Sequence, residues 1–412
     1  MHQQRRQKAL TAGLGLDSGA AHRLDIPDAM TPSAPDTDIL GFTLAEYAAA
    51  RQTQPHALRQ EYARVMRHGV GLSLPPITRR DDDGGVVKFC LPAGTQADQV
   101  LETESVIIPM NSYRGTSWYT LCLSSQVGCR MACTFCETGR MGLLHNLSAA
   151  EIVRQRVVAR AIMLERREER AEGCPASAEG AASAAGVPSR RPATPAASRH
   201  FHYFGDGIQN IVFMGMGEPL DNFDAVAQSI RVLSEPAGLN FPHAQITVST
   251  VGRIDGLRKL AALNWPNLRV AISLNAPNDA LREQLMPVNK AMPLADLQRA
   301  LIEYPLARKG LFLIEYVLIK DVNDALEHAD QVAAWCRPLR CVVNLIPYNP
   351  QRDAPYAPPS DDTIQLFLQR LRSHGIFVKR RVTQGRDLMG ACGQLGNPQV
   401  QRPRSASAAV TG

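Results

Sequence analysis

Three cysteines crowd into one short run, Gly128–Cys129–Arg130–Met131–Ala132–Cys133–Thr134–Phe135–Cys136, with the spacing C-x3-C-x2-C. A loop this short brings Cys129, Cys133 and Cys136 together at little chain-closure cost, and cysteine thiolates are the usual ligands of iron–sulfur clusters. A four-iron cubane held by three cysteines keeps one iron open to a further ligand. The rival reading is a zinc site completed by Cys122 or His145. Zinc sites are usually built from paired C-x2-C knuckles, and no second knuckle is present.

The next polar residues of interest stand where strands would end. Gly215–Met216–Gly217–Glu218–Pro219 follows an apolar run, and its glycines would let a ligand approach the backbone. Glu218 can accept hydrogen bonds from an amino group. Ser249, Ser273, Asn275 and Asn344 end later strand-like runs. Singly each is an ordinary turn or capping residue; together they read as the polar lining of one pocket.

The elements that would position these groups alternate in period. Strand-like runs fall at 119–124, 211–214, 246–249, 268–273, 311–319 and 342–346, with helical patterns between them. Ser148 and Glu151 form a capping-box pattern opening one helix, and Val226, Ile230 and Leu233 line the face of another. Strand–helix alternation implies a parallel sheet. About six units, fewer than the eight of a closed barrel, predict an α/β fold with a partial (β/α)6 TIM-like barrel over 111–395. Ligands of such sheets sit at the carboxyl ends of the strands.

Ahead of it, a loose leader at 1–40 precedes a small accessory module at 41–110. The module reads as two short helices, an acidic turn at 81–85 and strands at 86–91 and 100–109. Thr43 and Glu46 cap the first helix; Leu58, Tyr62, Val65 and Met66 line the second. An Ala/Ser/Pro/Gly-rich insertion at 173–198, edged by Cys174, and a tail at 396–412 carry no evident chemistry.

Composition sets outer bounds. In 412 residues, 45% are hydrophobic, which excludes general disorder. No apolar run approaches the roughly 18 residues of a membrane span, and the start is too weakly apolar for a secretory signal, so a cytoplasmic protein is expected. Nine cysteines, an odd number unevenly spread, argue against a disulfide framework. A formal charge of +6 is compatible with a polyanion but does not establish one.

Five motifs in order sharpen the reading: 120–129 with Cys122 and Cys129, 214–219, 273–278, 344–350, and Ala391–Cys392–Gly393–Gln394–Leu395. Together they resemble the RlmN/Cfr family of radical S-adenosylmethionine (SAM) rRNA adenine methyltransferases, over about 82–395 without the insertion. The resemblance implies one [4Fe–4S] cluster on Cys129, Cys133 and Cys136, with SAM chelated at the open iron and two SAM molecules used per turnover. SAM contacts would come from Gly217, Glu218, Ser249, Ser273, Leu274, Asn275 and Asn344. The aromatic carbons 2 and 8 of adenine have no lone pair to attack a methyl sulfonium, so a radical route is required. In the family a cysteine matched by Cys392 first takes a methyl group, and a deoxyadenosyl radical then abstracts hydrogen from it. The methylene radical adds to the base. A second cysteine, matched by Cys122, releases the adduct by forming a disulfide, and Glu104 matches the proton acceptor.

The chain departs from the family pattern at Asn275, where His is frequent, at Met110, where an acidic residue is familiar, and at Tyr348, where Trp occurs. The implied substrate is large-subunit (23S) rRNA, with tRNA a second, and the implied reductant a flavodoxin or ferredoxin; a monomer is expected. Arg130, Arg140, Lys379, Arg380, Arg381 and Arg386 are candidate phosphate contacts. Two alternatives remain at this point: a radical SAM enzyme acting on a peptide or small molecule, and a non-enzymatic RNA-binding protein with a structural metal.

Overall fold

The computed structural model describes residues 38–96, 99–112, 115–172, 205–351, 355–381 and 384–396. The expected leader up to residue 37, the insertion with Cys174 and the tail beyond residue 396 lie outside the described residues. Residues from Asp38 onward belong to one compact unit.

Two helices open it, α1 (Leu44–Ala50) and α2 (Pro55–His68). The capping box on α1 is formed in both directions: Glu46 N donates to Thr43 Oγ1 and Thr43 N donates to the Glu46 carboxylate. Gly69 ends α2 in the left-handed conformation that a residue with a side chain adopts at a cost. The α2 face packs as its spacing predicts, with Tyr62 and Met66 fully buried and Leu58 and Val65 partly so.

Four strands follow: β1 (Arg79–Asp83), β2 (Val86–Gln96), β3 (Gln99–Asn111) and β4 (Ser117–Cys122), paired antiparallel in that order. The acidic stretch expected as a turn is largely strand β1, and only Gly84 and Gly85 turn. Charges on both faces hide an edge strand from any hydrophobic pattern, and edge strands are where such charges are tolerated.

Next comes a hairpin absent from the sequence reading, β5 (Gln126–Cys129) and β6 (Gly142–Asn146), with α3 (Glu137–Arg140) between its arms. The crossover α4 (Ala149–Glu172) starts at the expected capping box of Ser148 and Glu151. Repeated units then run β7 (Ile208–Phe213), α5 (Phe223–Ser234), β8 (Ile246–Thr250), α6 (Ile254–Ala262) and β9 (Arg269–Ser273). They continue through α7 (Asp279–Leu285), α8 (Leu294–Glu303), β10 (Phe312–Leu318), α9 (Leu326–Cys336), β11 (Cys341–Pro347), α10 (Asp361–Ser373) and β12 (Val378–Arg380).

All pairings from β4 through β7 to β12 are parallel. The six expected strands are present, and β12 adds a seventh to the parallel part; with three residues, two of them exposed, it carries too little pattern to be read. One ten-stranded sheet results, in the order β1-β2-β3-β4-β7-β8-β9-β10-β11-β12, so the front strands extend the barrel sheet directly. Apolar residues of every parallel strand and the inner faces of the helices form one core, including Ile211, Val248, Val270, Ile314 and Val343. No helix among the described residues is long and apolar enough to cross a membrane.

Candidate active site

The cysteine loop hangs from the β5–β6 hairpin. Gly128 sits at φ +74°, and a β-carbon there would lie 1.8 Å from the Gly142 carbonyl oxygen, so only glycine lets the strands meet. The loop is then stitched down by its backbone: Thr134 N donates to Leu285 O at 2.9 Å, Cys136 N to Cys133 O at 3.1 Å, and Glu137 N to Gly393 O at 2.8 Å. Cys129 and Cys133 are buried among Met131, Phe135, Leu285, Met286, Ile319 and Tyr348, and Cys136 is half-buried.

Burial pushes all three thiols above their ordinary range, Cys129 and Cys133 strongly. The polypeptide alone therefore does not stabilise three thiolates here. Metal ligation would do so, because a cation deprotonates the thiols that coordinate it. All three face a single cavity at the carboxyl end of the parallel strands, with about 1040 Å³ of space free of protein atoms, its open mouth included. Among the described residues no three Cys, His, Asp or Glu side chains converge on a point that would hold a single ion. A cubane places each ligand on a different iron. Neither candidate for a fourth zinc ligand stands with the three cysteines on this cavity: His145 faces Glu151 at 3.5 Å, and Cys122 ends β4 outside the lining.

Gly217, Glu218, Ser249, Ser273 and Asn275 share that cavity with the cysteines and with Cys392. Glu218 is buried. Its carboxylate accepts from Leu220 N at 3.1 Å and Val251 N at 2.9 Å, and burial lifts its pKa to about 7. The glycines have a reason other than ligand approach: a β-carbon on Gly215 would meet Leu123 O at 2.7 Å, and one on Gly217 would meet Gln126 Cβ at 2.6 Å. They let the 214–219 turn nest against the segment between β4 and β5. Asn275 adopts φ +56° and spends its side-chain oxygen on Val317 N at 2.9 Å, tying the end of β9 to β10.

Two expected SAM contacts are not on the cavity wall. Leu274 is fully buried in the core, and Asn344 lies behind Glu315, to which its side-chain amide donates at 2.8 Å. Glu315, missed in the sequence reading, takes the wall position instead. Its Oε2 is buried with no hydrogen-bond partner among the described residues, as is the Tyr348 hydroxyl, also on the wall. Unsatisfied buried polar atoms are rare and ask for a partner. The hydroxyl and amino groups of SAM would supply one, so the residues present fit both cluster and SAM. The signal for Glu315 was there: a carboxylate in the middle of the apolar run at 311–319.

Cys392 reaches the cavity on a loop held mainly by side chains. Asn349 Nδ2 donates to Cys392 O at 3.2 Å, Gln351 Nε2 to Gly393 O at 2.9 Å and to Phe135 O, and Gln394 Nε2 to Pro350 O at 2.7 Å. Burial raises the Cys122 thiol to about 12; nearby Cys392 raises it further and Arg381 opposes the rise. The structure thus brings the two distant cysteines into one electrostatic neighbourhood. Glu104 does not join the cavity. It is buried beneath the loop, ion-paired to Arg79 at 2.7 Å and Lys88 at 2.8 Å, and accepts from Gly396 N at 3.1 Å, while Lys88 also donates to Met389 O.

The basic candidates separate. Arg381 lines the cavity beside Cys392 and is drawn to it and to Glu315, which removes it from the expected phosphate track. Arg130 pairs with Asp221, Arg140 with Glu137 and Arg380 with Asp361, and Lys379 lies 5.5 Å from the centre of the Phe377 ring. Arg386 is exposed on the Cys392 loop.

A partial α/β barrel whose strand ends carry three clustered cysteines and a polar cavity has the architecture of the radical SAM enzymes. A crystallographically determined radical SAM methyltransferase from Sphaerobacter thermophilus superposes with a TM-score of 0.69 at 33% identity, covering 86% of this chain and 98% of that one. No family model matches the chain. Among relatives of the chain, the probable dual-specificity RNA methyltransferase RlmN 1 of Protochlamydia amoebophila is 38% identical over 332 residues, 81% of this chain and 79% of that protein. The dual-specificity RNA methyltransferase RlmN of Nitratidesulfovibrio vulgaris is 38% identical over 325 residues, 79% and 78% of the two chains. The chain belongs to the RlmN family of dual-specificity RNA methyltransferases.

Proposed function

We propose that this enzyme methylates carbon 2 or carbon 8 of an adenine in large-subunit rRNA, with tRNA as a second substrate class. The observation that carries the reading is the shared cavity: Cys129, Cys133, Cys136 and Cys392 line one space, although more than 250 residues of chain separate the first from the last. Cys129, Cys133 and Cys136 would hold a [4Fe–4S] cluster, and Gly217, Glu218, Ser249, Ser273 and Asn275 would hold SAM, with Glu315 added and Leu274 and Asn344 acting from behind. The bound cluster supplies, from a flavodoxin- or ferredoxin-like donor, the electron that splits the sulfonium C–S bond of SAM.

The protein's own groups do the rest. Glu218 offers carboxylate oxygens to the SAM amino group, and the apolar shell of Met131, Phe135 and Met286 keeps water from a reactive carbon centre. Cys392 carries the methyl group to the base. Cys122 is assigned the resolving role; burial favours its neutral thiol, so a base must take its proton as the disulfide to Cys392 forms. Glu104 is assigned proton acceptance, reaching the Cys392 loop at Gly396.

The test uses methyl-deuterated SAM, a reductant and rRNA. Deuterium on an adenine carbon is expected, and its absence from every adenine overturns the reading. In Cys122→Ala a covalent RNA–protein adduct through Cys392 should accumulate; release of free methylated RNA from that variant at the wild-type rate would remove Cys122 from its role.

A further inference from the structure

Two arginines are among the largest side chains of the fully buried set, and their surroundings differ. Arg156 on α4 has the carboxylate of Asp206 at 2.7 Å. Arg282 on α7 forms no ion pair among the described residues. Its guanidinium donates to neutral oxygens only: Leu274 O at 3.1 Å, Ser273 O at 3.2 Å, Val251 O, and Asn289 Oδ1 at 2.9 Å. The nearest acid in this network, Asp279, is one residue removed, receiving the other end of the Asn289 side chain at 2.9 Å. Burial lowers the Arg282 pKa to about 10, which leaves it charged at neutral pH. A desolvated cation with no anion in contact, Asp279 acting on it only from a distance, is an expensive arrangement.

Its position suggests where the missing negative charge belongs. The carbonyls it grips lie at the carboxyl ends of β8 and β9, under the cavity that Ser249 and Ser273 line. The cysteine loop rests on the same helix through Thr134 N to Leu285 O, and Leu285 and Met286 pack against Cys129 and Cys133. Three thiolates outweigh the charge of an oxidised cubane core, and reduction adds one more electron.

We propose that Arg282 is the buried counter-cation of the iron–sulfur cluster, a positioning residue that favours its reduced state and so raises its reduction potential. The proposal rests on the functional reading above, because it needs the cluster on Cys129, Cys133 and Cys136. It assigns Arg282 a role that hydrogen bonding to carbonyls alone does not require. A neutral donor would satisfy those oxygens, whereas a buried positive charge also favours the more negative, reduced cluster.

The experiment is an EPR-monitored redox titration of the anaerobically reconstituted full chain, with iron and sulfide counted in each sample. Arg282→Gln retains a donor for the carbonyls and Arg282→Met retains bulk; Arg282→Lys retains the charge. Each neutral variant should move the reduction equilibrium at least tenfold toward the oxidised cluster, a potential lower by about 59 mV for one electron. Arg282→Lys should stay close to wild type. Using two neutral variants guards against either one failing to fold. A neutral variant with a full cluster and the wild-type potential overturns the proposal, as does a Lys variant that falls as far as the neutral ones. Wild-type protein that assembles no reducible cluster would instead overturn the functional reading itself.

Discussion

The two loops that meet in the cavity are held in opposite ways. The loop of Cys129, Cys133 and Cys136 is fixed by backbone hydrogen bonds, a glycine-dependent hairpin and an apolar shell. The loop of Cys392 shares one backbone bond with it, Glu137 N to Gly393 O, and is otherwise tied to the rest of the molecule mainly by polar side chains: Asn349, Gln351, Lys88 and Glu104. Backbone stitching suits a ligand set that keeps one geometry through every turnover. Side-chain clasps can be exchanged one at a time, which suits a thiol that meets SAM and then the base. The same cavity thus has a fixed wall and a wall that can be released.

The largest effect should come from comparing a thiol on each wall. Cys129→Ser should lose cluster iron and sulfide and with them all methylation. Cys392→Ala should keep a full cluster and reducible signal yet transfer no methyl group to RNA, a loss to background comparable to the order of 10⁶-fold seen when a covalent nucleophile is removed. Equal iron loss in both variants would break the distinction between the walls.

A smaller effect is expected at the clasp. Gln351→Ala removes one donor from the carbonyls of Phe135 and Gly393, the latter keeping Glu137 N, at a cost of about 1–3 kcal/mol where such a group stays buried and unmet. Hydrogen exchange should quicken at 390–396 and stay unchanged in β5 and β6; equal quickening in both would show one rigid body rather than two regimes.

The smallest effect concerns thiol chemistry on the releasable side. Cys122, with its pKa near 12, should be alkylated slowly at pH 8, and its rate should rise by about tenfold per pH unit until the pH approaches that value, because only the thiolate reacts. The sign follows from burial, which favours the neutral thiol. Half-buried Cys392 should label first. Cys122 labelling that is flat between pH 7 and 10 would contradict its protonated state.

Much of this arrangement was legible in the sequence. Cysteine spacing located the three-cysteine loop on the cavity, and period changes located all but the shortest parallel strand, because a parallel strand buried on both faces is written as an apolar run. What stayed hidden depends on pairing across long stretches of chain. The β5–β6 hairpin spans a helix and is recognisable only once Gly128 is seen against Gly142. Arg282 sits on a short helix and reads as a solvated charge until the strand ends close over it. Arg381 reads as part of a basic run, yet the chain turns it inward while its neighbour Arg380 faces out to Asp361. Leu274 follows Ser273 and points the other way because a strand alternates its faces, whereas Asn344 shares the face of its register partner Glu315, which takes the wall position in front of it.

The unbroken sheet has a consequence for anyone trimming the polypeptide. Cys122 closes β4, and β4 is flanked by β3 on one side and β7 on the other. Deleting the front of the chain through β3 would strip one partner from that strand, leaving a row of unmet amide and carbonyl groups open to pairing with another molecule. A shortened version should therefore self-associate along β4, burying Cys122 between copies instead of within its own fold.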